Sequence, residues 1–137
     1  MLEIIDKNIR ITRGNMLPIT VSADNDIDGN DYEFQVGDVI RFQIFDSKDV
    51  NNVYFKKDFK VTEKATEKMI VITAEEMKIG ELKNKSVDYW YEIELNPDTE
   101  NTITIVGYEL DENNKPDPAI ITILPEAGEK KTEGGDA

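Results

Sequence analysis

The chain has 137 residues, with 16 Lys and Arg against 29 Asp and Glu, no histidine, no cysteine and a formal net charge of −13. Without cysteine there is no disulfide, zinc–thiolate site or cysteine nucleophile, and without histidine the usual near-neutral general base and the Ser-His-Asp arrangement are missing. The negative balance repels phosphate backbones, which argues against nucleic-acid binding through a basic groove and favours solubility.

At the start, Met1-Leu2-Glu3-Ile4-Ile5-Asp6 carries acids where a basic signal-peptide region belongs, and no later run approaches the ~18 apolar residues of a membrane span. The expectation is a soluble chain made in the cytoplasm, long enough for one domain. Ile9-Arg10-Ile11-Thr12 reads as a short strand and Arg13-Gly14-Asn15 as the turn after it. That turn is one residue from Arg-Gly-Asp, but a turn already asks for Gly and Asn, so no adhesion role is assigned. Leu17, Ile19 and Val21 alternate with Pro18, Thr20 and Ser22. Proline cannot donate to a ladder, so this strand belongs at an edge.

After a polar loop from Ala23 to Asp31, residues Tyr32, Phe34, Val36, Ile40, Phe42 and Ile44 share one parity. Successive side chains of a strand face opposite ways, so these form one buried face, with Gly37-Asp38 as a turn or bulge between two strands. Val53, Phe55, Phe59 and Val61 share a parity interrupted by Lys57, while Tyr54, Lys56, Asp58 and Lys60 face solvent. Lys68-Met69-Ile70-Val71-Ile72 is apolar on both parities in its middle, which predicts a strand covered on both faces. Thr73 and Glu76 have capping-box spacing, so a short helix starts there and Gly80 stops it.

Tyr89, Tyr91, Ile93 and Leu95 make a second strictly alternating strand. Its hairpin partner runs from Thr102 to Leu110 after the Asn96-to-Asn101 turn cluster. The apolar parity flips between Ile105 and Val106, predicting a β-bulge near Val106-Gly107. Asp111 to Pro118 is a loop, and Ala119 to Leu124 is a last strand. Short strands at this spacing predict an all-β fold, an immunoglobulin-like antiparallel β-sandwich with one short connecting helix. It occupies residues 1–124, and residues 125–137, without apolar periodicity, form a disordered tail.

Few residues carry chemistry. Asp24, Asp26 and Asp28, with Gly29, match the first half of an EF-hand calcium loop. The bidentate Glu of its twelfth position is replaced by Gln35 and the flanks are strands, so a plain solvated turn is the favoured reading. Trp90 lies on the parity opposite the core face of its strand, and with Tyr108 it is a candidate for sugar stacking or an interface. A Trp tucked under a neighbouring element is the simpler alternative. Glu92 and Glu94 share that wet face, but no apolar pocket is inferable to make either a catalytic acid. Ile121 and Ile123 belong to a segment too apolar for a free tail. It closes this domain's own sheet or adds as a docking strand to a neighbouring subunit, and in the second case these two residues bind the partner.

The string Tyr32-x-Phe34-x-x-Gly37-Asp38-x-Ile40-x-Phe42 resembles a group of small structural proteins of tailed phages and prophages of Gram-positive bacteria. Ile11-Thr12-Arg13-Gly14, Met69-Ile70-Val71-Ile72-Thr73, Tyr89-Trp90-Tyr91-Glu92-Ile93-Glu94-Leu95 and Asn101-Thr102-Ile103-Thr104-Ile105 fit the same pattern. The resemblance covers about residues 9 to 110 and is to the immunoglobulin-like N-terminal domain of phage upper baseplate proteins. It implies a non-enzymatic structural or accessory protein of the virion (tail, baseplate or head decoration), without cofactor, docked in repeated copies to other phage structural proteins on a symmetric particle. A carbohydrate-binding module reading host wall glycans through Trp90 is the alternative, and a carboxylate-dependent hydrolase ranks third.

Overall fold

A computed structural model describes residues 2–23, 31–80 and 85–126. Among them the strands are, in chain order, β1 (Leu2–Ile5), β2 (Asn8–Thr12), β3 (Leu17–Val21), β4 (Val39–Phe45), β5 (Val53–Lys60), β6 (Lys68–Ile72), β7 (Val87–Leu95), β8 (Ile103–Val106), β9 (Glu109–Leu110), β10 (Pro116–Asp117) and β11 (Ile120–Leu124). The fold is all-β. A seven-stranded sheet has the order β1-β2-β11-β7-β4-β5, with β8 also pairing β7; β3 pairs β6, and β9 pairs β10.

The alternating stretches form its centre. Ile40, Phe42 and Ile44 of β4 lie opposite Leu95, Ile93 and Tyr91 of β7, and all six are buried. One apolar cluster joins them to Ile9 and Ile11 of β2, Ile121 and Ile123 of β11, Leu17 and Val21 of β3, and Ile70 and Ile72 of β6. The small β3–β6 sheet thus supplies apolar residues to the same core as the large one. Pro18 lies opposite Val71 in that two-stranded pair, the edge position that a missing N–H requires. Lys57, on the inward row of β5, turns its ammonium to the Val71 carbonyl (3.4 Å) and the Glu76 carboxylate (2.8 Å).

Several expectations are corrected. Of the two readings of the last strand, closure of the domain's own sheet holds and the docking one does not: β11 pairs antiparallel with β7 and parallel with β2, and Ile121 and Ile123 are buried in the core. They present no surface to a partner. The principal sheet is therefore mixed rather than wholly antiparallel. Ile121 meets both Ile9 and Tyr89 in register, so parity is kept while the direction imposed by β7 leaves β2 running alongside.

No helix follows Thr73. The capping box is made, with Thr73 N–H donating to Glu76 Oε1 (2.9 Å) and Glu76 N–H to Thr73 Oγ1 (3.2 Å). It closes a single turn, in which the Met77 N–H reaches the Thr73 carbonyl (3.0 Å). The carbonyls that would extend a helix are claimed from outside: Met77 O accepts from the Gly14 N–H (3.2 Å) and Ile79 O from Arg13 Nε (3.2 Å). Gly80, at φ +78°, then turns the chain away.

Residues 32–36 are not a strand. Phe34 alone makes a bridge, to Ala65. The Asp38 carboxylate then accepts from the Gln35 N–H (2.9 Å) while the Asp38 N–H returns to the Gln35 carbonyl (3.0 Å). Val36 sits at the tip of this turn, 65% exposed, instead of on the buried face. β6 is not covered on both faces either: Ile70 and Ile72 enter the core, while Met69 on the opposite parity is exposed. Neither β1 nor the β9–β10 hairpin was anticipated. The expected partner of β7 is split into β8 and β9, and its bulge falls at Ile105, where Val106 and Thr104 face Ile93 and Glu94. The expected tail lies outside the described residues from 127 onward, as does the candidate loop of Asp24, Asp26 and Asp28.

Candidate functional site: an aromatic hollow on the outer sheet face

The residues that alternate with the core positions form the outer face. Across β4 and β7 the register sets Arg41 opposite Glu94, Gln43 opposite Glu92 and Phe45 opposite Trp90. On the other side of β7, Ile120 of β11 lies opposite Trp90. Phe45, Trp90 and Ile120 therefore form an apolar row over three neighbouring strands, on the face directed away from the core.

The bulge adds a fourth member. Past Ile105 the chain turns at Gly107 and brings Tyr108 to Trp90, with ring centroids 5.8 Å apart and planes at 40°. A side chain at Gly107 would meet Glu92 Cγ and Thr104 Cγ2 at 3.0 Å, so glycine allows the backbone to cross this close over Glu92. The β4–β5 turn supplies the opposite wall. There Asp46 and Asp49 carboxylates accept the Lys48 and Asn51 N–H groups (2.7 and 3.1 Å), local Asx bonds that hold exposed Val50 against the hollow. Gln43, Phe45, Val50, Trp90, Glu92 and Tyr108 line a concavity of about 440 Å³.

Its electrostatics differ along the face. At one end Arg41 makes a fork to Asp58 (Nε to Oδ1 2.7 Å, Nη2 to Oδ2 3.1 Å) and a third bond to Asp98 (3.0 Å). The Arg41 hydrogen bonds hold the Asp58 carboxyl below the usual range. Across from it on β7, Glu94 and its row neighbour Glu92 share one neutral donor, Gln43 Nε2, at 3.4 and 3.3 Å. Burial, and then the charge of Glu94, push the Glu92 carboxyl above its usual range, with the Gln43 bond pulling the other way. The setting that raises the Glu92 carboxyl is assembled from separate strands and a turn, so it could not be inferred from the sequence.

Of the residues singled out from sequence, Trp90 and Tyr108 are brought together and Ile121 and Ile123 are not. Phe45, Val50, Gln43 and Glu92 were missed as members. A signal was present for Phe45: like Trp90, it is aromatic on the parity that its strand turns to solvent. Val50 carried none, being one apolar residue in a polar turn. No protein-family model, curated protein or solved structure matches this chain.

Proposed function

We propose that the chain is a non-catalytic binding domain, of immunoglobulin-like sandwich architecture, that docks to other structural proteins of a phage-type particle through the outer face of its principal sheet. The carrying observation is the hollow itself. Trp90, Tyr108, Phe45 and Val50 form an apolar concavity on a face whose other end is closed by the Arg41 ion pairs, and aromatic anchors in concave apolar settings are the usual energetic centres of protein interfaces. The sandwich reading is supported by the single core shared between the large sheet and the β3–β6 pair. The virion reading is supported by the sequence resemblance and by the acidity, which keeps free copies apart in the host cytoplasm until they occupy repeated sites.

The test is incorporation into particles, followed by mass spectrometry of purified virions. The wild-type chain is expected in the particle. A Trp90→Ala, Tyr108→Ala variant that melts cooperatively is expected to be absent from it. A folded variant that incorporates normally would remove this face from the docking role.

Carbohydrate binding is the second reading, favoured by the Gln43 amide and Glu92 carboxylate beside the two rings, since sugars are held by stacking plus lateral hydrogen bonds. Binding to wall glycans on an array, lost on Trp90→Ala, would favour it over protein docking.

A further inference from the structure

We infer that the hollow receives a cationic side chain, an arginine or lysine presented by the protein that docks on this face. The inference rests on the reading of the face as a protein-docking surface and names the chemistry of the partner at its centre.

Three observations converge on a cation. The rings of Trp90 and Tyr108 stand together at 5.8 Å in the wall of the hollow, and aromatic faces attract ammonium and guanidinium groups, Trp most strongly. Glu92 enters the same hollow with Glu94 beside it, and the two carboxylates share the single Gln43 amide. Among the described residues no Lys or Arg forms an ion pair with either. The nearest candidate by register, Arg41, is taken by Asp58 and Asp98. A carboxylate drawn into an apolar setting without a cation is destabilised, and a partner's cation relieves that penalty. Phe45 and Val50 complete the site by offering apolar surface to the methylene stem that carries the charge.

Glu92 follows Trp90 by two positions on the outer face of β7 and lines the same hollow, an arrangement in which a planar guanidinium can stack on a ring and donate to a carboxylate in the same pose. At long range, the net charge of −13 draws basic surfaces toward the domain and excludes acidic ones.

Trp90 is the chain's one tryptophan, so its indole N–H resonance reports on the site alone. The probes are the capped tripeptides Gly-Arg-Gly and Gly-citrulline-Gly, which differ in charge at nearly constant shape, and N-acetylglucosamine. The full chain is titrated with each. The arginine peptide is expected to shift the indole signal saturably and to bind about tenfold more tightly than the citrulline peptide. Glu92→Gln should abolish that preference. Glu100→Gln, an equal charge change at an exposed turn position, should keep it. Equal affinity for the two peptides, an unaltered preference in Glu92→Gln, stronger binding of the sugar, or no indole shift with the arginine peptide would each overturn the inference. Particle incorporation separates this from the wider reading. If Trp90→Ala is excluded from particles while Glu92→Gln enters normally, docking stands and the cationic anchor falls. If Trp90→Ala itself enters normally, the docking reading falls.

Discussion

β4 and β7 each present two faces made by one alternating stretch of sequence, and the faces are solved differently. Inside, Ile40, Phe42 and Ile44 mesh with Tyr91, Ile93 and Leu95, and the Phe42 ring lies 5.7 Å from Tyr91 and 6.2 Å from Phe55. Every position there is occupied by a neighbour. Outside, Arg41 is saturated by two carboxylates, whereas Trp90, Tyr108 and Glu92 surround open volume. Interior packing accounts for stability, while an aromatic and carboxylate cluster left uncovered on the outer face contributes less to stability and is available for binding.

The largest effect expected follows from the inner face. Phe42→Ala removes a fully buried ring and should cost about 3–5 kcal/mol. Trp90→Ala removes a larger side chain that is only partly buried, and should cost about 1–2 kcal/mol. Urea denaturation measures both. Equal losses would mean that the outer hollow belongs to the core.

Next is Tyr91, an inner residue with a polar tip. Its hydroxyl donates to the Lys7 carbonyl in the β1–β2 turn, and burial pushes its phenol up to about 12. Tyr91→Phe should lose about 1–2 kcal/mol near neutral pH. The raised value in the folded state also sets a pH dependence. The contribution is fully present below the unfolded phenol value of about 10 and is lost as pH rises through the folded one. Melting temperatures measured up to pH 12 should therefore fall more steeply in wild type than in Tyr91→Phe. Parallel curves would show that the hydroxyl is not buried in this way.

The inner face was legible in the sequence because a strand's period of two survives any choice of neighbours. That is why Ile40, Phe42, Ile44, Tyr91, Ile93 and Leu95 could be read as core from one strand at a time. What depends on neighbours was not legible. Whether Ile121 and Ile123 pack inward or onto another subunit depends on whether a slot stands open between β2 and β7, which no local pattern records. The helix expected after Thr73 failed although its cap formed, because Gly14 and Arg13, sixty residues earlier, take the carbonyls it needed. The candidate site was half legible. Trp90 stood out by parity, but its neighbours arrive from the β4–β5 turn and from beyond a bulge.

A smaller effect separates the two ends of the outer face. Asp58 is held low by Arg41, so its contribution is present above the unfolded carboxylate value and is lost as pH falls through the folded one. Arg41→Met should cost about 1 kcal/mol at neutral pH, the modest figure reflecting the exposure of Asp58 and Asp98. The loss should shrink on acidification and in high salt. A loss independent of both would assign the effect to packing of the Arg41 stem instead of charge.

The smallest effect has the opposite sign. Glu92 is pushed up by burial and by Glu94, so in the folded protein its ionised form is the disfavoured one. Its favourable contribution is present below the unfolded carboxylate value, about 4.3, and is lost as pH rises through the folded value. Glu92→Gln keeps the shape and removes the charge, so it should raise the melting temperature slightly at pH 7 and leave it unchanged at pH 3. The gain should be smaller than any of the losses above, because the group is only partly buried. A stability gain coupled to a binding loss in the same substitution is what a carboxylate kept for a partner should show. A destabilised Glu92→Gln at pH 7 would instead make the Gln43–Glu92–Glu94 cluster a structural network and align the outer face with the inner one.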